Sequence, residues 1–106
     1  MSTTDIDLAY VETFRALSDP TRLDMFRQIA SVEEMPCTVL QSNIELAKST
    51  ISYHIKILSQ AGLITVRKQG RNFFYTAQRD VANDLMPGFL NRVGVPRRAR
   101  VTPASS

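Results

Sequence analysis

Two β-rich runs, "LITVRK" (63–68) and "NFFYTA" (72–77), joined by "QGR", constrain this chain more than any other feature. Both runs are rich in β-branched or aromatic residues, and Gly70 supplies the turn, so they read as a two-stranded hairpin. A two-stranded hairpin is marginal in water by itself. Its strands have to pack on helices, and the remaining residues must provide them.

Those helices are legible from apolar spacing and end signals. Leu8, Val11, Phe14 and Leu17 recur every three residues, predicting a helix over about 7–17. "LSDPTRLDMF" ends that helix and begins another. Asp19 is placed to cap it and Pro20 fits the first helical position, with Leu23, Phe26, Ile29 and Ala30 on one face. "SVEEMPC" reads as a connector, and 38–46 as a short helix with Val39, Leu40 and Ile44 inward. A tight junction at "AKS" leads to a helix over about 50–60, capped by Ser49 or Thr50 and closed at Gly62. A last helix over about 79–93 is interrupted by Pro87-Gly88. The expected fold is mainly α with a small β-hairpin: a winged helix-turn-helix domain over 1–94, followed by a flexible basic tail over 95–106.

Charge points to the partner. Residues 1–45 hold eight acids and three bases, whereas residues 46–79 hold six bases and no acid. A carboxylate-free stretch in a chain otherwise well supplied with acids suggests a surface facing a polyanion. No apolar window is long enough to span a membrane, and "MSTTDIDLAY" has neither the basic flank nor the apolar run of a secretory signal. With Cys37 the only cysteine, no intrachain disulfide can form, and a cytoplasmic location is expected.

Within that stretch, "STISYHIKIL" (49–58) separates into two faces at about 3.6 residues per turn. Ile51, Ile55 and Leu58 share the buried side. Ser49, Ser52, Tyr53, Lys56 and Gln60 share the opposite one, a set of hydroxyls, a phenol, an amide and an ammonium that can donate to phosphates and base edges. The second helix of a helix-turn-helix enters the major groove N-terminus first, which puts Ser49, Thr50, Ser52 and Tyr53 nearest the bases. His54, the one histidine, falls beside Leu58 and has no co-ligands, so it reads as a packed side chain rather than a metal ligand. The hairpin tip gathers Arg67, Lys68, Gln69, Gly70, Arg71 and Asn72, a wing suited to phosphate or minor-groove contact. Phe73 and Tyr75 point one way and Phe74 the other. Since one face must cover the core, packing is favoured over base stacking.

The segments "ALSDPTRLDMFRQI" and "STISYHIKILSQAGLITVRKQGRNFFY", in that order and spacing, resemble the ArsR/SmtB family of bacterial winged-helix repressors over roughly residues 8–93. The resemblance implies a homodimer formed by the first and last helices, here through Leu8, Val11, Leu85, Phe89 and Leu90. It also implies release from a palindromic operator by an inducer. The arsenic-, cadmium- and lead-sensing members carry a Cys-x-Cys pair whose positions fall at Pro36 and Thr38 here, with Cys37 between them, and a further thiolate position falls at Gln41. Zinc- and nickel-sensing members use His and acidic ligands on the last helix, where this chain has Asp80 and Asp84 but no His. The expectation is therefore a homodimeric repressor of double-stranded DNA, with no metal or cofactor and an unidentified non-metal signal.

Alternatives stay open. Cys37 is either a small packed residue or a redox-sensing thiol that would make this a thiol-responsive repressor. A winged helix can also serve as a protein-interaction module, although such domains tend to lose the basic surface kept here. The tail "VPRRARV" either adds phosphate contacts or aids solubility. No acid–base–nucleophile constellation and no phosphate-cradling glycine loop is present, so no enzyme is expected.

Overall fold

The computed structural model describes residues 5–95; the side chains of 5–7 and of Leu85 lie outside the described residues, as does the tail from 96 onward. Five main helices and a small sheet follow one another as α1 (Asp5–Leu17), α2 (Pro20–Ala30), β1 (Met35–Pro36), α3 (Cys37–Asn43), α4 (Lys48–Gln60), β2 (Ile64–Gln69), β3 (Asn72–Ala77) and α5 (Arg79–Leu85). A four-residue turn of helix, α6 (Phe89–Arg92), completes the described part.

The start of α2 forms as its sequence predicts. Asp19 is extended, and its Oδ2 accepts from the Arg22 backbone N–H at 3.0 Å, with Pro20 opening the helix. That N–H is the main reason the Asp19 carboxyl is held below its ordinary value. The Arg22 side chain then binds three elements together. Nε donates to Ala16 O at 2.7 Å and Nη2 to Arg15 O at 3.3 Å, at the end of α1, while Nη1 lies 3.2 Å from His54 Nδ1 on α4. A guanidinium has only donors, so Nδ1 accepts. His54 is half-buried and is a packed, bonded side chain.

α2 is the centre of the core. Met25, Phe26, Ile29 and Ala30 are fully buried and share one core with Leu40 of α3, Ile51 and Leu58 of α4, and Ile64 of β2. Met25 joins this face although its position was not among those expected. α4 begins at Lys48, with Ala47 as its cap residue and no side-chain cap, so Ser49 and Thr50 lie inside the first turn rather than capping it. The far end closes with a left-handed Gly62, φ 78°. Gly62 N–H donates to Ser59 O and Leu63 N–H to Leu58 O, both at 3.0 Å. The two leucines flanking this turn are both fully buried, the apolar contact that accompanies such a stop.

The sheet is larger than the expected hairpin. β2 and β3 pair antiparallel from Ile64↔Ala77 to Gln69↔Asn72 around a Gly70-Arg71 turn, Gly70 having φ 64°. β1 adds on the other side of β3, Met35 opposite Tyr75 and Pro36 opposite Phe74, so the order is β1-β3-β2. Two residues of the segment expected as a connector, Met35 and Pro36, thus form an edge strand, where the missing N–H of Pro36 is tolerated.

Three further expectations are corrected. Val39 is 42 % exposed; the shorter α3 turns only Leu40 fully inward. Phe89 and Leu90, expected at a dimer interface, are 8 % and 5 % exposed inside the chain's own core. The break at Gly88, φ 81°, folds α6 back so that the Phe89 ring centroid lies 6.3 Å from that of Phe26. Val95, assigned to the tail, is buried at 3 % exposure: Gly94 is left-handed and Val95 N–H donates to Leu90 O at 2.8 Å. The same helix stop used after α4 therefore carries the fold one residue past its expected end.

Candidate nucleic-acid interface

The faces of α4 follow from its composition. Ile51, Ile55 and Leu58 are buried, and Ser49, Ser52, Tyr53, Lys56 and Gln60 are exposed; Thr50 is half-buried. Tyr53 is 60 % exposed, with its ring 5.4 Å from that of His54 and tilted 59° to it. A large side chain held out from a helix and backed by a second ring is well placed to touch an external surface. α3 and α4 together form the helix-turn-helix, with Ile44, Glu45, Leu46 and Ala47 as the junction.

The wing has two different faces, because successive residues of a strand point to opposite sides. Lys68, opposite Phe73 in the ladder, lies on the side facing α4, and its Nζ sits 5.8 Å from the Phe73 ring centre. Arg67 lies on the other side. Its Nε donates to Glu34 Oε2 at 2.9 Å and its Nη2 to Glu34 Oε1 at 2.8 Å, while Nη1 donates to Gln69 Oε1 at 2.7 Å. The guanidinium also lies 4.4 Å from the centre of the Phe74 ring. This two-point pairing holds the Glu34 carboxyl below its ordinary value and raises the Arg67 guanidinium. Arg67 and Gln69, both expected to contact DNA, are thus bonded to each other, and Arg67 also to Glu34; all of residues 67–72 are exposed, so what sets Arg67 apart from Lys68 and Arg71 is its carboxylate partner rather than burial. Glu34 and Arg67 are 33 positions apart, and nothing local in the sequence joins them.

The outer face of α1 carries Leu8, Val11 and Phe14, which are 53 %, 46 % and 45 % exposed, with Tyr10 stacked on Phe14 at 6.0 Å. The side of α1 that meets the rest of the chain is lined instead by Thr13 and Ala16. Cys37 is half-buried at the start of α3, and no group of three or more His, Cys, Asp or Glu side chains suited to a metal ion occurs among the described residues. Burial, with a smaller contribution from Cys37, pushes the Tyr75 phenol up. No helix among the described residues is long and apolar enough to cross a membrane.

Comparison with known proteins identifies this arrangement. A helix-turn-helix domain family matches residues 17–67. An uncharacterised HTH-type transcriptional regulator of Bacillus subtilis, YceK, is 35 % identical over 85 residues, spanning 79 % of this chain and 85 % of that protein. The arsenical resistance operon repressor of the same organism is 31 % identical over 77 residues, 73 % of each chain. The chain belongs to the ArsR/SmtB family of winged helix-turn-helix regulators. An ArsR-like transcriptional regulator from Rhodococcus has the same fold, with a TM-score of 0.70 over 86 % of this chain and 84 % of that one, at 24 % identity. As an ArsR/SmtB-family protein, this chain is a DNA-binding transcriptional regulator, in which α4 is the second helix of the helix-turn-helix and β2–β3 form the wing hairpin.

Proposed function

We propose that the chain is a homodimeric repressor that reads an imperfect palindrome in double-stranded DNA. The observation that carries this reading is the exposed, carboxylate-free face of the recognition helix. Ser49, Ser52, Tyr53 and Lys56 stand out from a buried Ile51–Ile55–Leu58 side, and Lys68 and Arg71 are exposed on the wing. Ser52 and Tyr53 would read base edges, and Lys56, Lys68 and Arg71 would meet phosphates.

The exposed Leu8, Val11 and Phe14 of α1 favour that helix as the seam between two copies, since apolar side chains gathered on one exposed helix face form the kind of patch that marks an interaction site. A two-fold pair of recognition helices reads half-sites about one helical turn, roughly 10 bp, apart. The departures at Pro36, Thr38 and Gln41 from a thiolate set favour a signal other than a soft metal. Footprinting on the DNA upstream of the protein's own gene, with the oligomeric state followed by light scattering, tests the proposal. A protected palindrome with two dyad-related half-sites is expected. Uniform, sequence-independent protection, or a single monomer per site, would refute it.

A further inference from the structure

The face of α4 that turns toward the wing does not close on it. Between Ile55 and Lys56 on one side, and Val66, Phe73 and Tyr75 on the other, lies a groove of about 260 Å³ edged by Ser52 and Ser59. Its inner end is sealed, Ile55 and Tyr75 each being 7 % exposed. Its outer part is apolar and open: Val66 and Phe73, on the same face of the hairpin, remain 41 % and 40 % exposed. The volume lies just below the roughly 300–1,000 Å³ of pockets for drug-sized ligands, so it suits a single ring with a short substituent.

Charge selects among such molecules. Lys56 lines the groove, Lys68 stands over the Phe73 ring, and no carboxylate is among the lining residues. Two serine hydroxyls can donate beside Lys56. The Tyr75 phenol, pushed up by burial, keeps its proton and adds no negative charge. An apolar floor beside convergent cationic and hydroxyl donors fits an apolar body carrying one anionic group.

We propose that this groove binds a small aromatic carboxylate, with the ring on Val66 and Phe73 and the carboxylate on Lys56. Because Ser52 and Lys56 also belong to the proposed DNA face, occupancy and DNA binding exclude each other; this second half rests on the DNA-reading assignment above. The regulator would then carry an inducer site on its reading head itself.

The test begins without DNA. Isotopically labelled full-length protein is titrated with 4-fluorobenzoate and, separately, with 4-fluorobenzylamine, which has the same ring and the opposite charge. Saturable amide shifts at Ser52, Lys56, Val66 and Phe73 are expected with the carboxylate. The amine should bind at least about tenfold more weakly, as loss of one charge-assisted contact implies. Val66→Phe and Ser59→Leu each fill the groove, and at least one folded variant should lose the shifts. Equal binding of the two probes, shifts centred elsewhere, or shifts that persist in folded groove-filling variants would overturn the site. A labelled upstream duplex is then added at constant ionic strength. The carboxylate should displace it from the wild type, with a midpoint that rises with duplex concentration, and should fail to displace it from Val66→Phe. A ternary complex would overturn the exclusion while leaving the site intact. Absence of duplex binding would overturn the exclusion and the DNA-reading assignment, and the DNA-free titration would still decide the site.

Discussion

The two-faced wing makes a prediction that separates neighbouring cations. Lys68 lies on the hairpin face turned toward α4, whereas Arg67 is bonded at two points to Glu34 on the far side. Each phosphate contact by a lysine or arginine adds about 0.9 to the slope of log affinity against log salt. In a dimer Lys68→Ala removes two such contacts, flattening the slope by about 1.8. Over a fourfold change in salt, the wild type should then lose about twelvefold more affinity than the variant. Arg67→Ala should leave the slope nearly unchanged, because its charge is already paired at two points with the Glu34 carboxylate. Glu34→Gln should steepen the slope by as much as about 1.8, since it frees two guanidinium groups per dimer. Fluorescence anisotropy of a labelled operator duplex between 50 and 200 mM KCl, repeated with a random duplex, measures all three. The reasoning is refuted if Arg67→Ala flattens the slope as much as Lys68→Ala, or if Glu34→Gln flattens it.

Tyr53→Ala should lower specific binding by about 1–3 kcal/mol while changing random-duplex binding little; equal losses on both in a binding titration would remove Tyr53 from the reading face. Phe26→Ala deletes a fully buried ring packed on Phe89 and should cost about 3–5 kcal/mol in urea unfolding. Asp19 has a folded pKa below its ordinary 3.8, so its contribution is fully present above that value and is lost as pH falls through the lower folded value. The urea midpoint should therefore fall less steeply on acidification in Asp19→Asn than in the wild type.

What the sequence disclosed was whatever is encoded locally. The Asp19-Pro20 start of α2, the two sides of α4, the left-handed Gly62 and the hairpin around Gly70 all depend on residues within one turn or one ladder rung of each other. What it hid depends on distant partners. β1 is two residues long, too short to show any period, and exists because β3 offers it an edge. Phe89 and Leu90 look equally apolar whether they meet Phe26 or a second subunit, and only the fold-back at Gly88 decides. Arg67 and Lys68 are adjacent cations in sequence, yet the strand's alternation sends one to Glu34 and the other toward α4. The groove between α4 and the wing was likewise invisible, since its walls come from residues 52–60 and 66–75, brought together only by tertiary structure.

Arg22 gives the architecture a fixed dimension. Its guanidinium holds the carbonyls of Arg15 and Ala16 near the end of α1 and abuts His54 in the middle of α4, so one side chain ties the end of the proposed subunit seam to the proposed reading helix. In the proposed two-fold dimer that tie counts twice. It would help set the span between the two α4 helices, and hence the number of base pairs between half-sites that could be bridged without deforming the DNA. A guanidinium more than 25 residues from the recognition helix's tip would thus act as a ruler for the operator, although it lies on neither the seam nor the groove-reading face.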